Sequence, residues 1–145
     1  MTVTFCGHSD FVPSTAMEAR LLSVLESQIG DSPAELLLGG YGSFDRFALR
    51  CGKIFQQTHP LVSLIYVTPY MVTERQTSVG AEYDGIVSPP LENVPPRYAI
   101  LHRNRYMVER ADLVIACITR SRGGAYQTYL HARRKGKTMI NLADS

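Results

Sequence analysis

The sequence has little net charge, few cysteines and no long apolar run. Its 15 lysine and arginine residues stand against 13 aspartate and glutamate residues, so the formal net charge is +2. This charge is too small to predict general binding to nucleic acid or to a membrane surface. No stretch reaches the roughly 20 apolar residues of a membrane-spanning helix, and the N-terminus lacks the basic start and apolar run of a signal peptide. We therefore expect a cytoplasmic protein.

The three cysteines, Cys6, Cys51 and Cys117, stand far apart. Their odd number and wide spacing argue against a disulfide framework and against a zinc site, so no metal is predicted. Cys6 and Cys117 lie in apolar, strand-like runs, where burial as small apolar residues is the simplest interpretation. A catalytic Cys6 with His8 as its base is the alternative, although two positions at one strand end are poor geometry for that pair.

The remaining composition is typical of one domain over residues 1–145, since the chain is 45% hydrophobic and 19% charged. Apolar runs predict strands at 2–6, 34–38, 62–67, 112–118 and 137–142. Helical spacing predicts helices at about 15–29, 43–58, 97–110 and 125–135, the first with a Thr15–Glu18 capping box. Residues 68–96 are irregular, with 85–87 as a short extended piece. This order predicts an α/β fold of the doubly wound, Rossmann-like type, with a mostly parallel sheet, helices on both faces and strand order 3-2-1-4-5.

Glycines follow three of the predicted strands. Gly7 follows the first strand, the run "GGYGS" at 39–43 follows the second, and Gly123-Gly124 follow the fourth. In a parallel sheet these turns lie along the carboxyl edge, where ligands of such sheets bind. One glycine turn is usually only a tight connection, and none of these turns matches a Walker A or G-x-G-x-x-G motif. Three turns at one edge predict a site where backbone N–H groups bind a phosphate-bearing ligand.

Several stretches resemble the SLOG superfamily of Rossmann-like proteins: "CGHSD" at 6–10, "LLLGGYGSFD" at 36–45 and "LHRNRYMVERADLVIACITRSRGGA" at 101–125. This superfamily includes the Lonely-guy phosphoribohydrolases, often mislabelled lysine decarboxylases, and the DNA-processing Smf proteins. The chain looks most like its small single-domain bacterial members of undefined function. The resemblance implies a nucleotide or nucleotide-derived ligand and a homo-oligomer. Arg103 matches an active-site arginine of the Lonely-guy enzymes, and Asn104 stands where that branch has lysine.

The resemblance is incomplete at the third glycine turn, the one that follows the fourth predicted strand. Lonely-guy enzymes carry Pro-Gly-Gly-x-Gly-Thr followed closely by glutamate, whereas this chain reads "RGGAYQTY" at 122–129 with no carboxylate between Gly124 and Lys135. A nearby carboxylate stabilises the oxocarbenium-like transition state of glycosidic cleavage. Its absence favours a binding or sensor domain over a phosphoribohydrolase. A hydrolase using Glu74, Glu82 or Asp84 from the 68–96 segment, and a DNA-processing Smf-like module, are the alternatives.

The predicted site follows from these arguments. His8 either contacts the ligand, acts as an acid or base, or holds a neighbouring loop. Arg120 and Arg122 border the crevice, and Ser43 either caps its helix or donates to the phosphate. The weak catalytic candidates are His8, Arg103 and Glu82. The predicted ligand-binding residues are Gly7, His8, Ser9, Gly39, Gly40, Gly42, Ser43, Arg103, Asn104, Arg122, Gly123, Gly124 and Ala125. No cofactor is predicted beyond this nucleotide-type ligand. The predicted partners are a small phosphate-bearing ligand and further copies of the chain; membrane binding is not expected, and nucleic acid is a less favoured partner.

Overall fold

A computed structural model describes residues 1–70, 80–91 and 93–144. Within them, six parallel strands form one sheet. The strands are β1 (Thr2–Gly7), β2 (Ala34–Leu38), β3 (Val62–Val67), β4 (Gly85–Val87), β5 (Leu113–Cys117) and β6 (Thr138–Asn141). Their order across the sheet is β4-β3-β2-β1-β5-β6. The α/β doubly wound fold is thus confirmed.

The strand order differs from the prediction only at one edge. The five long strands keep the predicted order, and the short extended piece at 85–87 adds a sixth strand beside β3, with Tyr66 paired to Ile86. A strand of three residues carries too few apolar positions for its periodicity to be recognised in the sequence. The predicted carboxylate Glu74 lies outside the described residues.

Helices cover both faces of the sheet. They are α1 (Thr15–Gln28), α2 (Ser43–Gln56), α3 (Ala99–Arg110) and α4 (Gly124–Arg134). Helices α1 and α2 pack on one face, where residues such as Leu21, Phe47 and Ile115 form the larger core. Helices α3 and α4 contact each other on the opposite face, where Val108 and Ala132 pack against β5.

The start of α1 corrects the predicted capping box. Ser14, not Thr15, is the N-cap residue, and its side chain accepts a hydrogen bond from the N–H of Met17 at 3.1 Å. Several adjacent residues can cap a helix, so sequence spacing left the boundary uncertain by one position. No helix among the described residues is long and apolar enough to cross a membrane.

Candidate functional site

A cavity of about 230 Å³ opens at the carboxyl edge of the sheet, beside the end of β1. Its walls are formed by the carboxyl end of β1, the β2–α2 turn with the start of α2, one face of α3 and the start of α4. This is the switch point of the sheet, because β1 pairs with both β2 and β5 while the chain winds away in opposite directions. Its lining residues are Phe5, Cys6, Gly7, His8, Ser9, Tyr41, Asp45, Ile100, Arg103, Asn104, Met107, Arg120, Gly123, Gly124, Ala125 and Thr128.

His8 is held in one tautomer at the end of β1. The backbone N–H of Thr119 donates to His8 Nε2 at 3.2 Å, so the ring proton of the neutral imidazole lies on Nδ1. Burial, and then the charge of Arg120, lower the pKa of His8. A neutral ring whose Nε2 lone pair is already used can offer a ligand a donor at Nδ1. This arrangement favours hydrogen bonding over general-base chemistry.

Helix α3 presents one face to the cavity. Ile100, Arg103, Asn104 and Met107 recur at helical spacing and all line the cavity. Arg103 is only 2% exposed. Its Nη1 donates to the carbonyls of Gly39 at 2.7 Å and Val67 at 2.9 Å, and its Nε donates to Asn104 Oδ1 at 2.9 Å.

The guanidinium of Arg103 therefore joins the ends of β2 and β3. Burial lowers the pKa of Arg103, and the nearby Asp45 carboxyl opposes that effect. Its Nη2 makes no hydrogen bond within the described part of the chain.

The glycines after β2 serve packing and lie outside the cavity lining. A Cβ on Gly39 would come within 2.9 Å of Arg103 Cζ, so this glycine makes room for the guanidinium. Gly40 has a positive φ of 66°, and a Cβ there would approach the Tyr66 ring to 2.6 Å. Gly42, at φ 89°, lies against the backbone of Ser9. These three predicted ligand-binding residues shape the turn beside the cavity.

Ser43 joins the β2–α2 turn to the loop after β1 and is also absent from the lining. Its N–H donates to Ser9 O at 3.0 Å, and its hydroxyl donates to the carbonyl of Phe11. Gly42, the N-cap residue of α2, provides no side chain. The start of α2 is therefore partly occupied by the protein's own acceptors.

Tyr41, in the β2–α2 turn, and Asp45, in the first turn of α2, are lining residues that sequence reasoning missed. Asp45 Oδ2 accepts a hydrogen bond from the N–H of Tyr41 at 3.0 Å, and the half-buried side chain forms no ion pair among the described residues. Burial raises the pKa of the Asp45 carboxyl to about 6, against the opposing effects of the Tyr41 N–H and of Arg103. Tyr41 is 63% exposed at the cavity wall.

The start of α4 is the open helix terminus of the site. Its N-cap residue, Gly123, has φ 92° and makes no side-chain cap. A Cβ on Gly123 or Gly124 would meet no atom within 4 Å, so these glycines face free space at the cavity. The first N–H groups of a helix lack internal partners and carry partial positive charge.

Two arginines near this turn differ in position. Arg120 lines the cavity and forms a two-pronged ion pair with Asp10, at 3.0 and 3.2 Å. Hydrogen bonding by Arg120 lowers the pKa of Asp10. The predicted residue Arg122 is exposed and does not line the cavity.

Of the remaining chemical candidates among the described residues, Glu82 and Asp84 lie outside the cavity lining and Cys6 lies within it. Glu82 is exposed and lies 3.7 Å from Lys53, away from the cavity. Asp84 accepts hydrogen bonds from Leu64 N and Gln56 Nε2 and supports the edge of the sheet. Cys6 lines the cavity, but burial raises the pKa of its thiol to about 12, which disfavours the nucleophilic thiolate.

The cavity unites some predicted residues and omits others. Predicted residues in the lining are Gly7, His8, Ser9, Arg103, Asn104, Gly123, Gly124 and Ala125. Predicted residues outside it are Gly39, Gly40, Gly42, Ser43 and Arg122. The place of Asp45 could have been inferred from the sequence, because the first turn of a helix lies at the same sheet edge as the glycine turn before it. Among the described residues, no group of three or more His, Cys, Asp or Glu could hold a metal ion.

Comparisons with known proteins indicate the fold and no closer relation. No protein-family model and no curated protein match the chain. Similar solved structures include DNA processing protein A (DprA) from Helicobacter pylori, with 18% identity and a TM-score of 0.65, described for its single-stranded DNA binding mode. DprA from Streptococcus pneumoniae has 15% identity and a TM-score of 0.68. TM1055, a structural genomics target, has 14% identity and a TM-score of 0.62.

Each alignment covers nearly all of this chain but only part of the other. The alignments cover 96% of this chain and 63% of H. pylori DprA, 95% and 48% for S. pneumoniae DprA, and 96% and 72% for TM1055. The chain therefore spans roughly half to two thirds of the two DprA chains. At this level of identity the similarity concerns the fold. The chain shares the Rossmann-like fold of the DprA and TM1055 structures.

Proposed function

We propose that the cavity binds a nucleotide or a nucleotide-derived ligand, as a sensor or binding domain of the SLOG type. The observation that supports this most is the open start of α4, where Gly123 and Gly124 leave free space beside unpaired N–H groups. A phosphate fits such a terminus because the N–H donors and the helix dipole both favour an anion. Arg120 lines the same cavity, with its charge paired to Asp10.

The opposite wall offers a surface for a base. The exposed ring of Tyr41 lines the cavity, and its backbone N–H is held by Asp45. An exposed aromatic ring stacks on any nucleobase. A ligand with its phosphate at α4 and its base at Tyr41 would lie in the cavity that His8 and Arg103 also line.

The experiment that tests this function is a thermal-shift screen with nucleotides, followed by calorimetry and product analysis. Stabilisation that depends on nucleotide concentration, with the nucleotide recovered intact, supports a binding domain. Release of free base or ribose phosphate would instead support the alternative of a phosphoribohydrolase-like enzyme. Absence of binding by every nucleotide tested would reject the proposed function. Membership of the small bacterial SLOG branch, a cytoplasmic location and a homo-oligomeric state belong to the same proposal.

Gly124→Ala should weaken nucleotide binding without harming the fold. The added Cβ meets no protein atom within 4 Å, and alanine is the better residue in a helix. The methyl group would, however, occupy the approach of the phosphate to the α4 N–H groups. We expect affinity to fall about tenfold, equivalent to about 1.4 kcal/mol, by calorimetry. Gln127→Ala, exposed on the same helix and outside the cavity, is the control and should bind normally. Equal nucleotide affinity of Gly124→Ala and wild type would show that the phosphate does not bind at this helix terminus.

Tyr41→Ala tests the proposed base site. Loss of base stacking costs about 1–3 kcal/mol in proteins that bind single-stranded nucleic acids, so we expect affinity to fall roughly tenfold. Binding of inorganic phosphate should be unchanged. Tyr98→Ala is the matched control because Tyr98 is also exposed, at 43%, but does not line the cavity. If both variants bind like wild type, the base does not stack on Tyr41.

Single-stranded nucleic acid is the second candidate ligand. It is supported by the similarity to two DprA structures, one of them described for single-stranded DNA binding. The low net charge of +2 and the pairing of the lining residue Arg120 with Asp10 count against an interface for a chain of phosphates. Fluorescence anisotropy with a labelled oligothymidylate, at two salt concentrations, distinguishes this candidate from a mononucleotide site.

A further inference from the structure

The position of Asp45 in the cavity indicates which class of nucleotide the cavity prefers. The inference drawn from it rests on the proposed function. We infer that the Asp45 carboxylate binds the ribose hydroxyls of the ligand, so that the cavity prefers ribonucleotide over 2′-deoxyribonucleotide derivatives. The sugar of a nucleotide lies between its base and its phosphate. Asp45 accepts a hydrogen bond from the Tyr41 N–H and interacts with the charge of Arg103 on α3, and all three residues line the cavity.

The hydrogen bonding of Asp45 leaves one oxygen for a ligand. Oδ2 is engaged by the N–H of Tyr41 at 3.0 Å, which orients the carboxyl group. Oδ1 makes no hydrogen bond or ion pair within the described ranges. An ionised carboxylate accepts hydrogen bonds and cannot donate them. Its natural ligand partners are therefore donors such as sugar hydroxyls, whereas it would repel a phosphate.

The position of Asp45 in the fold agrees with this role. Asp45 lies in the first turn of α2, which follows the carboxyl end of β2, the strand beside the switch strand β1. In doubly wound folds that bind dinucleotides, an acidic residue about 20 positions beyond the first glycine turn binds the ribose, and Asp45 would do so from a different position. Burial also raises the pKa of the carboxyl, because a half-buried carboxylate is solvated less well by water than an exposed one. Hydroxyl donors from a ligand would replace that missing solvation.

A purely structural role for Asp45 makes a different prediction. If the carboxyl only holds the N–H of Tyr41 and the start of α2, its removal should weaken the binding of ribonucleotides and of deoxyribonucleotides equally. If it binds the ribose, removal should reduce their affinity ratio. The ratio is therefore the readout, because effects on folding or on the phosphate cancel between the two ligands.

The experiment measures dissociation constants for the four ribonucleoside 5′-monophosphates and their 2′-deoxy counterparts by calorimetry. We expect wild type to bind the preferred ribonucleotide about tenfold more tightly than its deoxy form, since one hydrogen bond to a charged group is lost. In Asp45→Ala the two affinities should agree within about twofold. Asp45→Asn keeps an oxygen for Tyr41 and serves as the second variant if Asp45→Ala does not fold. Asp31→Ala removes a fully exposed carboxyl and should leave the ratio unchanged.

Two results would overturn the inference while the proposed function survives. One is equal binding of ribonucleotides and deoxyribonucleotides by wild type. The other is an unchanged ratio in the Asp45 variants despite lower affinity. If wild type binds neither class of mononucleotide, the proposed function fails first and the inference fails with it.

Discussion

We expect Arg103→Met to lower the free energy of unfolding by about 3 kcal/mol, because buried acceptors lose their donors. Methionine keeps an apolar stem of similar length but cannot bond the carbonyls of Gly39 and Val67, which Arg103 contacts at 2.7 and 2.9 Å. Burial of the guanidinium itself is unfavourable, as its lowered pKa shows, and this offsets part of the loss. Since the carbonyls cannot be exchanged for apolar groups, the loss of their donors should dominate.

Thermal unfolding and urea titration measure this effect. A loss of about 3 kcal/mol corresponds to a fall of roughly 6–12 °C in Tm for a domain of this size. Arg105→Ala is the control, since Arg105 is exposed on the same helix and a surface change should stay within about 0.5 kcal/mol. A Tm for Arg103→Met within about 2 °C of wild type would show that water satisfies both carbonyls and that Arg103 does not hold the strand ends.

Asp45→Asn should stabilise the folded protein at neutral pH and lose that advantage in acid. Burial raises the pKa of Asp45 from 3.8 to about 6, so between these values the folded protein binds a proton that the unfolded chain has released. Stability from this group is therefore present at low pH and decreases as pH rises from about 4 to about 6. A shift of this size corresponds to at most about 3 kcal/mol, and solvent in the cavity and the helix dipole reduce it. We expect a gain of about 1–2 kcal/mol at pH 7.5.

Urea unfolding at pH 7.5 and at pH 4 tests this expectation. The charges that act on Asp45 are those of Arg103 on α3 and Arg46 on its own helix, both of which lower its pKa. Asparagine keeps an oxygen for the Tyr41 N–H, so the comparison isolates the charge. Asp31→Asn, with a fully exposed side chain, should change stability little at either pH. Equal gains at both pH values would contradict the raised pKa.

Together, the Asp45 experiments separate structure from function. If Asp45 served only to stabilise the fold, removing its charge should not increase the free energy of unfolding. Stabilisation by Asp45→Asn, combined with loss of ribose preference in Asp45→Ala, would identify a group whose unfavourable burial serves binding. Lower stability of Asp45→Asn at pH 7.5 would instead indicate that the charge supports the start of α2.

The amino-acid sequence by itself determined the α/β fold and the edge that carries the cavity. Strand-like apolar runs alternate with helical spacing, and this local periodicity survives folding because each element must bury its own apolar face. The predicted β2 and β3 agree with the observed Ala34–Leu38 and Val62–Val67. The side of α3 that faces the cavity also follows a local sequence pattern, since Ile100, Arg103 and Met107 recur at helical spacing.

Only the tertiary structure decided what each glycine does and which polar groups face the cavity. Gly39 makes room for Arg103, which is 64 positions away in the sequence, whereas Gly124 meets open space. The two glycines look alike in sequence because a glycine's role depends on which atoms approach its missing Cβ. Asp45 likewise became notable only after folding, because burial and distant charges, which no local pattern encodes, set its protonation and its partners.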